Sequence, residues 1–326
     1  MAMKGATVAR PAESIRSAAR TNASAGRRRR MIRRHWQLYL VIALPMAFLI
    51  TFNYYPMIGV QIAFRNYNPV QGMWHSPWTG LTQFRAFVDG PYFWQVIRNT
   101  LRISLYSIVI GTPATIILAL AINEVKHARF KRLAQMVSYA PYFISTVVVV
   151  GIIQIVLSPD SGPLVQIASL FGVHHMPNLL SSPGAFPSIY VWSGIWQETG
   201  YGAVIYLAAL SAVNPELYEA ARIDGASRLQ RIRHIDLPSI TPTIVILLIM
   251  SVAGILNVGF EKVFLLQNPL NNSGAEVIST YVYKTGLLDS NFSFAAAVGL
   301  FNSVVGLVLL VIVNFVARFV SDESLF

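Results

Sequence analysis

The sequence predicts an all-α membrane protein with six transmembrane helices and both termini in the cytoplasm. Three observations carry that prediction. First, 54% of the 326 residues are hydrophobic and only 12% are charged, against about a quarter charged in soluble domains. Second, the apolar residues fall in uninterrupted blocks of bilayer-spanning length. Third, lysines and arginines cluster at the ends of those blocks, the distribution that orients membrane helices.

The blocks are residues 38–58, 103–122, 137–157, 187–210, 240–260 and 294–317. A run of about 20 residues crosses roughly 30 Å of hydrocarbon as a helix. A β-barrel would instead need alternating strands of about ten residues, and no such alternation appears. Residues 1–34 are polar and end in "RRRRMIRR". With so little apolar content they read as a disordered, basic cytoplasmic tail. The block that follows is span-length and has no clear small-residue cleavage site, so it reads as an uncleaved signal-anchor.

Charge placement sets the orientation. With the N-terminus inside, the cytoplasmic segments take the ten basic residues of the tail, then Lys126, Arg129, Lys131 and Arg132, then Arg222, Arg228, Arg231 and Arg233, and Arg318. The outside keeps Arg65, Arg85, Arg98, Arg102, Lys262 and Lys284. Residues 158–186 contain no Lys or Arg. The outer loops, such as "NPVQGMWHSPWTG", read as structured interfacial caps.

The same placement removes other classes. A net charge of +11 located at span boundaries is a membrane signal rather than a nucleic-acid footprint. With no cysteine, disulfides, thiolate catalysis and Cys metal sites are excluded. The six histidines lack metal-ligand spacing, and His174-His175 reads as an exposed loop feature. No paired carboxylates or nucleophile constellation supports an enzyme. No Gly-Lys dipeptide is present, so the chain has no P-loop to hold ATP.

One charged stretch, "YEAARIDGASRLQRIRHIDLP" (218–238), stands between the fourth and fifth blocks. Asn214 can cap the helix that follows it, Pro215 suits the first turn, and Glu216 suits the positive end of the dipole. That helix can run through Asp224, with Gly225 as a left-handed stop. Ser227 can cap a second helix to about Ile235, which Pro238 would end. The result is a helical hairpin with Leu217, Ala220, Ala221, Ile223, Leu229, Ile232 and Ile235 as apolar positions. Taken alone it fits an amphipathic hairpin on the membrane surface.

The spacing adds to this. Glu219-Ala220-Ala221, three residues, Gly225, nine residues, then Ile235-x-Leu237-Pro238 resembles the signature loop of the membrane subunits of binding-protein-dependent ABC importers. Ile232 departs from it, since the family often has Phe there. The likeness extends over residues 35–326, through "HWQLYLVIALP", "YYPMIGVQIAFRNYNP", "FKRLAQMVSYAPYFIS" and "GFEKVFLLQNPL". It is similar to carbohydrate-type permeases of the lipoprotein-associated polysaccharide group and to one membrane subunit of an alginate-oligosaccharide importer.

The resemblance implies a type I importer permease fold in a bacterial inner membrane, paired with a homologous second permease. It further implies two ATP-binding subunits carrying ATP and Mg, an extracytoplasmic solute-binding protein, and an oligosaccharide solute, uronate chains among the candidates. Residues 214–238 would be the coupling loop that docks on the ATPase subunit through Glu219, Ala220, Ala221, Asp224 and Gly225. Glu219 would anchor, the two alanines would keep the helix thin, and Gly225 would permit the turn. Alternatives are a permease of the same class for a non-sugar solute, or a secondary transporter. The latter often carries inverted repeats, and no clear repeat is present.

Polar groups inside spans line pathways, bind partners or join helices. Trp192, Trp196, Gln197 and Tyr201 in the fourth block suit sugar rings and hydroxyls, or else form an interfacial belt. Glu198 is the plain charge within a block. In the fifth block Asn257 and Glu261 fall one turn apart, as pathway residues or, with Lys262, as a headgroup anchor. Asn302 in the sixth is a pathway residue or helix glue. Gly194, Gly200 and Gly202 suit close helix approach, and Pro113, Pro141 and Pro242 are candidate kinks.

Overall fold

The computed structural model describes residues 35–172 and 177–320. The tail and the His174-His175 pair lie outside them. Among the described residues the chain is helical, with one isolated bridge between Arg65 and Trp78 and no strand. It divides into two compact units, at Gln61 and Ile62.

In the first unit, α1 (Trp36–Leu49) continues through a π-helical segment, Ile50–Tyr54. Every residue of α1 is exposed. A helix apolar on all faces and bare on all faces is made for lipid or for other helices.

The second unit is built on long helices. These are α2 (Phe93–Asn123), the short α3 (Ala128–Tyr139) and α4 (Thr146–Val156), α5 (Phe186–Ser211), the hairpin helices α6 (Pro215–Ile223) and α7 (Arg228–Arg231), then α8 (Leu237–Ala253), α9 (Phe260–Leu266), α10 (Ile278–Tyr283) and α11 (Phe292–Val320). Helix α5 packs along α2, with Ala119, Leu120, Ala203, Tyr206, Leu210 and Ile240 as one core cluster. Gly200 of α5 lies tight against α3. A Cβ there would stand 1.8 Å from the Ser138 carbonyl oxygen, so only glycine fits. A second cluster joins Phe87 and Val96 to Ile278, Phe294 and Val298. The loop after α1 is a folded cap: the Arg65 guanidinium donates to the Trp74 and Ser76 carbonyls, and Phe64 stacks on Trp78.

Four helical runs are long and apolar enough to cross a membrane: Trp36–Phe64, Phe93–Asn123, Arg228–Ala253 and Phe292–Val316. A bent pair, α3 with α4, makes a fifth if counted as one span. Helix α5 is 26 residues long but carries Gln197 and Glu198.

Three expectations are corrected. Residues 137–157 are not one helix. The chain leaves α3 through a 3₁₀ turn around Pro141, extends at Ile144 and Ser145, and restarts at α4, bent by 97°. Pro141 supplies no N–H and crowds the preceding turn, and Ser145 then caps α4 by accepting from the Val148 N–H. Pro113 and Pro242, by contrast, lie inside helices that run on.

Pro238 does not end the hairpin's second helix. Helix α7 passes through a π segment, Ile232–Asp236, directly into α8. Proline is tolerated in a first helical turn, and the wider π turn leads into that turn. Residues 240–260 are also not one helix, because α8 stops before Gly254 and residues 254–259 are irregular. Asn257 and Glu261 therefore do not share a helix face.

Candidate functional site

The hairpin is built by local chemistry. Asn214 accepts from the Glu216 N–H at 3.0 Å, and Pro215 opens α6. Gly225 has φ of 75°, and the Ala226 N–H returns to the Ala221 carbonyl at 2.8 Å, closing the helix end. Ser227 and Gln230 form a reciprocal capping box.

What holds the hairpin to the body is not local. The buried Arg231 guanidinium lies 3.6 Å from the Glu124 carboxylate at the end of α2. The Tyr218 hydroxyl donates to Asp236, which is fully buried. Burial first, then that bond, pushes the Tyr218 phenol above its ordinary range, so it remains a donor. The opposite side is bare. Glu219, Ala220, Asp224 and Gly225 are exposed, as are Leu217, Ile223 (87%) and Leu229 (74%), while Ala221 is half-buried.

A second feature is a cavity of about 560 Å³ between α2, α5 and the chain after α8. Ser107 and Thr115 line one wall, Gly194, Glu198 and Gly202 the next, and Asn257 and Lys262 the third. The α5 residues recur every four positions, one face of a helix. Lys262 is buried. Its ammonium donates to the Tyr190 carbonyl at 3.2 Å and sits 4.9 Å above the Tyr190 ring. This removes the headgroup-anchor reading of Lys262, since an anchor would extend to the surface.

The sequence-derived pathway residues separate. Trp192 and Trp196 line a different, apolar hollow with Val149, Ile152 and Val156, and the Trp192 indole N–H donates to the Tyr106 hydroxyl. Gln197 is buried and donates to the Ile144 carbonyl, pinning the break between α3 and α4. Tyr201 stacks on Tyr142 at 4.0 Å. Asn257 and Asn302 do meet: the Asn302 amide donates to Asn257 Oδ1 at 2.9 Å. Glu261 is exposed. Sequence reasoning named Lys262 only as a headgroup anchor with Glu261, and missed the cavity and the proximity of Lys262 to Glu198, 64 positions earlier. It also missed Glu124, whose only signal was an acid beside the basic run 126–132.

Residues 111–322 match the family model described as the inner membrane component of binding-protein-dependent transport systems. This chain belongs to that family. The matched region holds the hairpin, most of the cavity and the break at Pro141. Among curated relatives, this permease is 41% identical over 296 residues to Protein LplB of Bacillus subtilis, covering 90% of this chain and 92% of the relative. It is 40% identical to the polygalacturonan/rhamnogalacturonan transport system permease YteP of the same organism, covering 89% and 90%. Among solved structures, it superposes with TM-score 0.83 and 39% identity on a chain of a bacterial ABC transporter involved in import of the acidic polysaccharide alginate, covering 90% and 99%. A second structure of a bacterial alginate ABC transporter, bound to its alginate pentasaccharide-loaded periplasmic protein, matches at 0.83 and 38%, covering 91% and 99%.

Proposed function

We propose that this permease is one membrane subunit of an ABC importer that receives oligosaccharides from a solute-binding protein and passes them to the cytoplasm. The observation that carries this reading is the hairpin: clasped to α2 and continuous with α8 on one side, bare and partly apolar on the other. Such a surface is suited to an ATP-binding subunit, with Glu219, Ala220, Ala221, Asp224 and Gly225 at the contact. A push on it reaches α8 through unbroken helix and α2 through the Arg231–Glu124 pair. The lack of a Gly-Lys pair supports placing ATP and Mg on that other subunit.

In the same reading the protein sits in a bacterial inner membrane with both termini inside. The four long runs, the bent pair counted as one span, and α5 give six crossings. A homologous permease completes the pathway, and two ATPase copies drive it. The cavity with Glu198, Asn257 and Lys262 is the stretch of pathway this subunit contributes. Of the sequence-derived pathway residues, Asn302 supports it through its bond to Asn257, while Trp192, Trp196, Gln197, Tyr201 and Glu261 lie outside its lining. The names of the relatives support a carbohydrate.

The test is ATPase activity of the reconstituted complex, with binding protein, against neutral and uronate oligosaccharides. Stimulation by either class is the expected result. An intact complex that no sugar stimulates, but a non-sugar solute does, would overturn the carbohydrate assignment and keep the permease.

A further inference from the structure

Arginines in this protein are of two kinds. Arg65 is spent on loop carbonyls and Arg231 on Glu124. Arg98 and Arg102 have no hydrogen bond or ion pair among the described residues, and both are exposed. They are one turn apart on α2, and Trp94, 75% exposed, is one turn before them. Residues at this spacing share a helix face. All three line one hollow of about 750 Å³, whose far wall is Pro183-Gly184 and Ser273-Gly274.

The hollow is held rigidly. The Asn99 amide, behind the arginines, donates to the Ser273 and Glu276 carbonyls at 3.0 Å each. Gly274 lies so close to Pro183 that a Cβ would fall 2.2 Å from its carbonyl oxygen. The walls are therefore set before anything binds, which lowers the cost of ordering a ligand.

Its depth follows from length. Helix α2 has 31 residues, about 46 Å, against roughly 30 Å of hydrocarbon. With Asn123 and Glu124 at the inner boundary, the first turns from Phe93 to Arg102 stand at or beyond the outer one. That is the side from which a binding protein would deliver solute.

Guanidinium groups bind carboxylates through paired N–H donors, and an indole offers an apolar face to a sugar ring. One helical step of four residues advances about 6 Å, close to the length of one pyranose unit. The central cavity is chemically different: its cation, Lys262, is bound to Tyr190 and shares the lining with Glu198.

We propose that the outer groove of Trp94, Arg98 and Arg102 binds an acidic oligosaccharide, its uronate carboxylates on the two arginines and a ring against the indole. This deepens the importer reading, on which its place in the transport path rests, by giving the solute class and its entry site.

The test is a titration of the purified membrane complex, free of binding protein, in discs of phosphatidylcholine. The probes are a defined uronate oligosaccharide and its carboxyl-reduced, neutral counterpart. The signal is tryptophan emission minus that of Trp94→Phe. Uronate should change it, and Arg98→Gln or Arg102→Gln should each weaken uronate binding about tenfold with little effect on the neutral sugar. Lysine at either position should restore part of the affinity. Equal weakening for both sugars, or no uronate response, overturns the proposal.

Repeating the titration with phosphatidylglycerol in the discs separates the other anionic ligand: a response to that lipid with none to uronate assigns the groove to headgroups and also overturns it. If the arginine variants lower ATPase stimulation only at limiting binding protein, without direct uronate binding, the groove receives the protein and not the sugar. Failure of the importer reading looks different: no oligosaccharide stimulates ATPase, whatever this titration gives.

Discussion

The chain between α9 and α10 and the hairpin between α5 and α8 are both polar, and they are polar in opposite ways. The first is closed. Asn271 is 1% exposed, donates to the Leu180 and Leu266 carbonyls, and accepts from the Asn268 N–H. Lys284 bonds Glu276 and Asn272 at 3.0 Å each. Nearly every buried group there finds its partner within the same chain. The hairpin has one bonded side and one open side with Ile223 and Leu229 in view. Buried polar groups demand partners, so the closed region is a finished scaffold. Exposed large apolar groups on an otherwise charged hairpin mark a surface finished by another molecule.

Substitutions that break the closed region should have the largest effects. Asn271→Leu removes three hydrogen bonds in a buried site and should cost about 3 kcal/mol, read as a fall in thermal midpoint of the solubilised permease. An unchanged midpoint would mean the amide network is not what holds this region. Glu276→Gln leaves the Lys284 ammonium, itself 30% exposed, without its carboxylate. A loss of about 2 kcal/mol is expected, below the fully buried value because of that exposure.

At the hairpin the expected stability changes are smaller and the functional ones larger. Glu124→Gln should cost about 1 kcal/mol, since its side chain is 22% exposed. The ATPase subunit should still co-purify while solute-stimulated turnover drops severalfold, because the joint to α2 is loosened. Full stimulation in that variant would remove the pair from the coupling path. Ile223→Ser should shift stability by less than about 0.5 kcal/mol and still weaken retention of the ATPase subunit. If retention were normal, the open face would belong to something else.

The pH dependence of the clasp is the smallest effect. Tyr218 is raised above its ordinary phenol value. Its folded pKa therefore exceeds its unfolded one, and its contribution is complete below about pH 10 and is lost as pH rises beyond that. Hairpin protection in hydrogen exchange should stay flat from pH 6 to 9, a range far below that ordinary value. Loss of protection within that window would show that another group titrates there.

Much of the hairpin was legible residue by residue. Asn214, Pro215, Gly225 and Ser227 act on neighbours two to five positions away, so their caps and turn follow from local order. The same local logic misled at Pro238, where a first-turn proline was read as a stop. It also understated Pro141, a candidate kink that proved a 97° break. Whether a proline bends a helix or breaks it depends on what the neighbouring helices hold in place. Here Gln197, from another helix, donates to the Ile144 carbonyl and pins the break.

By itself the sequence determined that the chain is helical and apolar in span-length blocks, where the charged hairpin lies, and how that hairpin is capped. These properties depend on composition and on short-range contacts. The tertiary structure decided which charges are paired and which are free. Arg231 and Arg98 are the same residue type, yet one meets Glu124 across more than 100 positions and the other has no hydrogen bond or ion pair among the described residues. It also decided that Glu198 and Lys262 share a cavity while Trp192 and Trp196 face elsewhere. Pairing across the chain depends on how helices pack, and packing depends on contacts such as Gly200 on Ser138 that have no local signature.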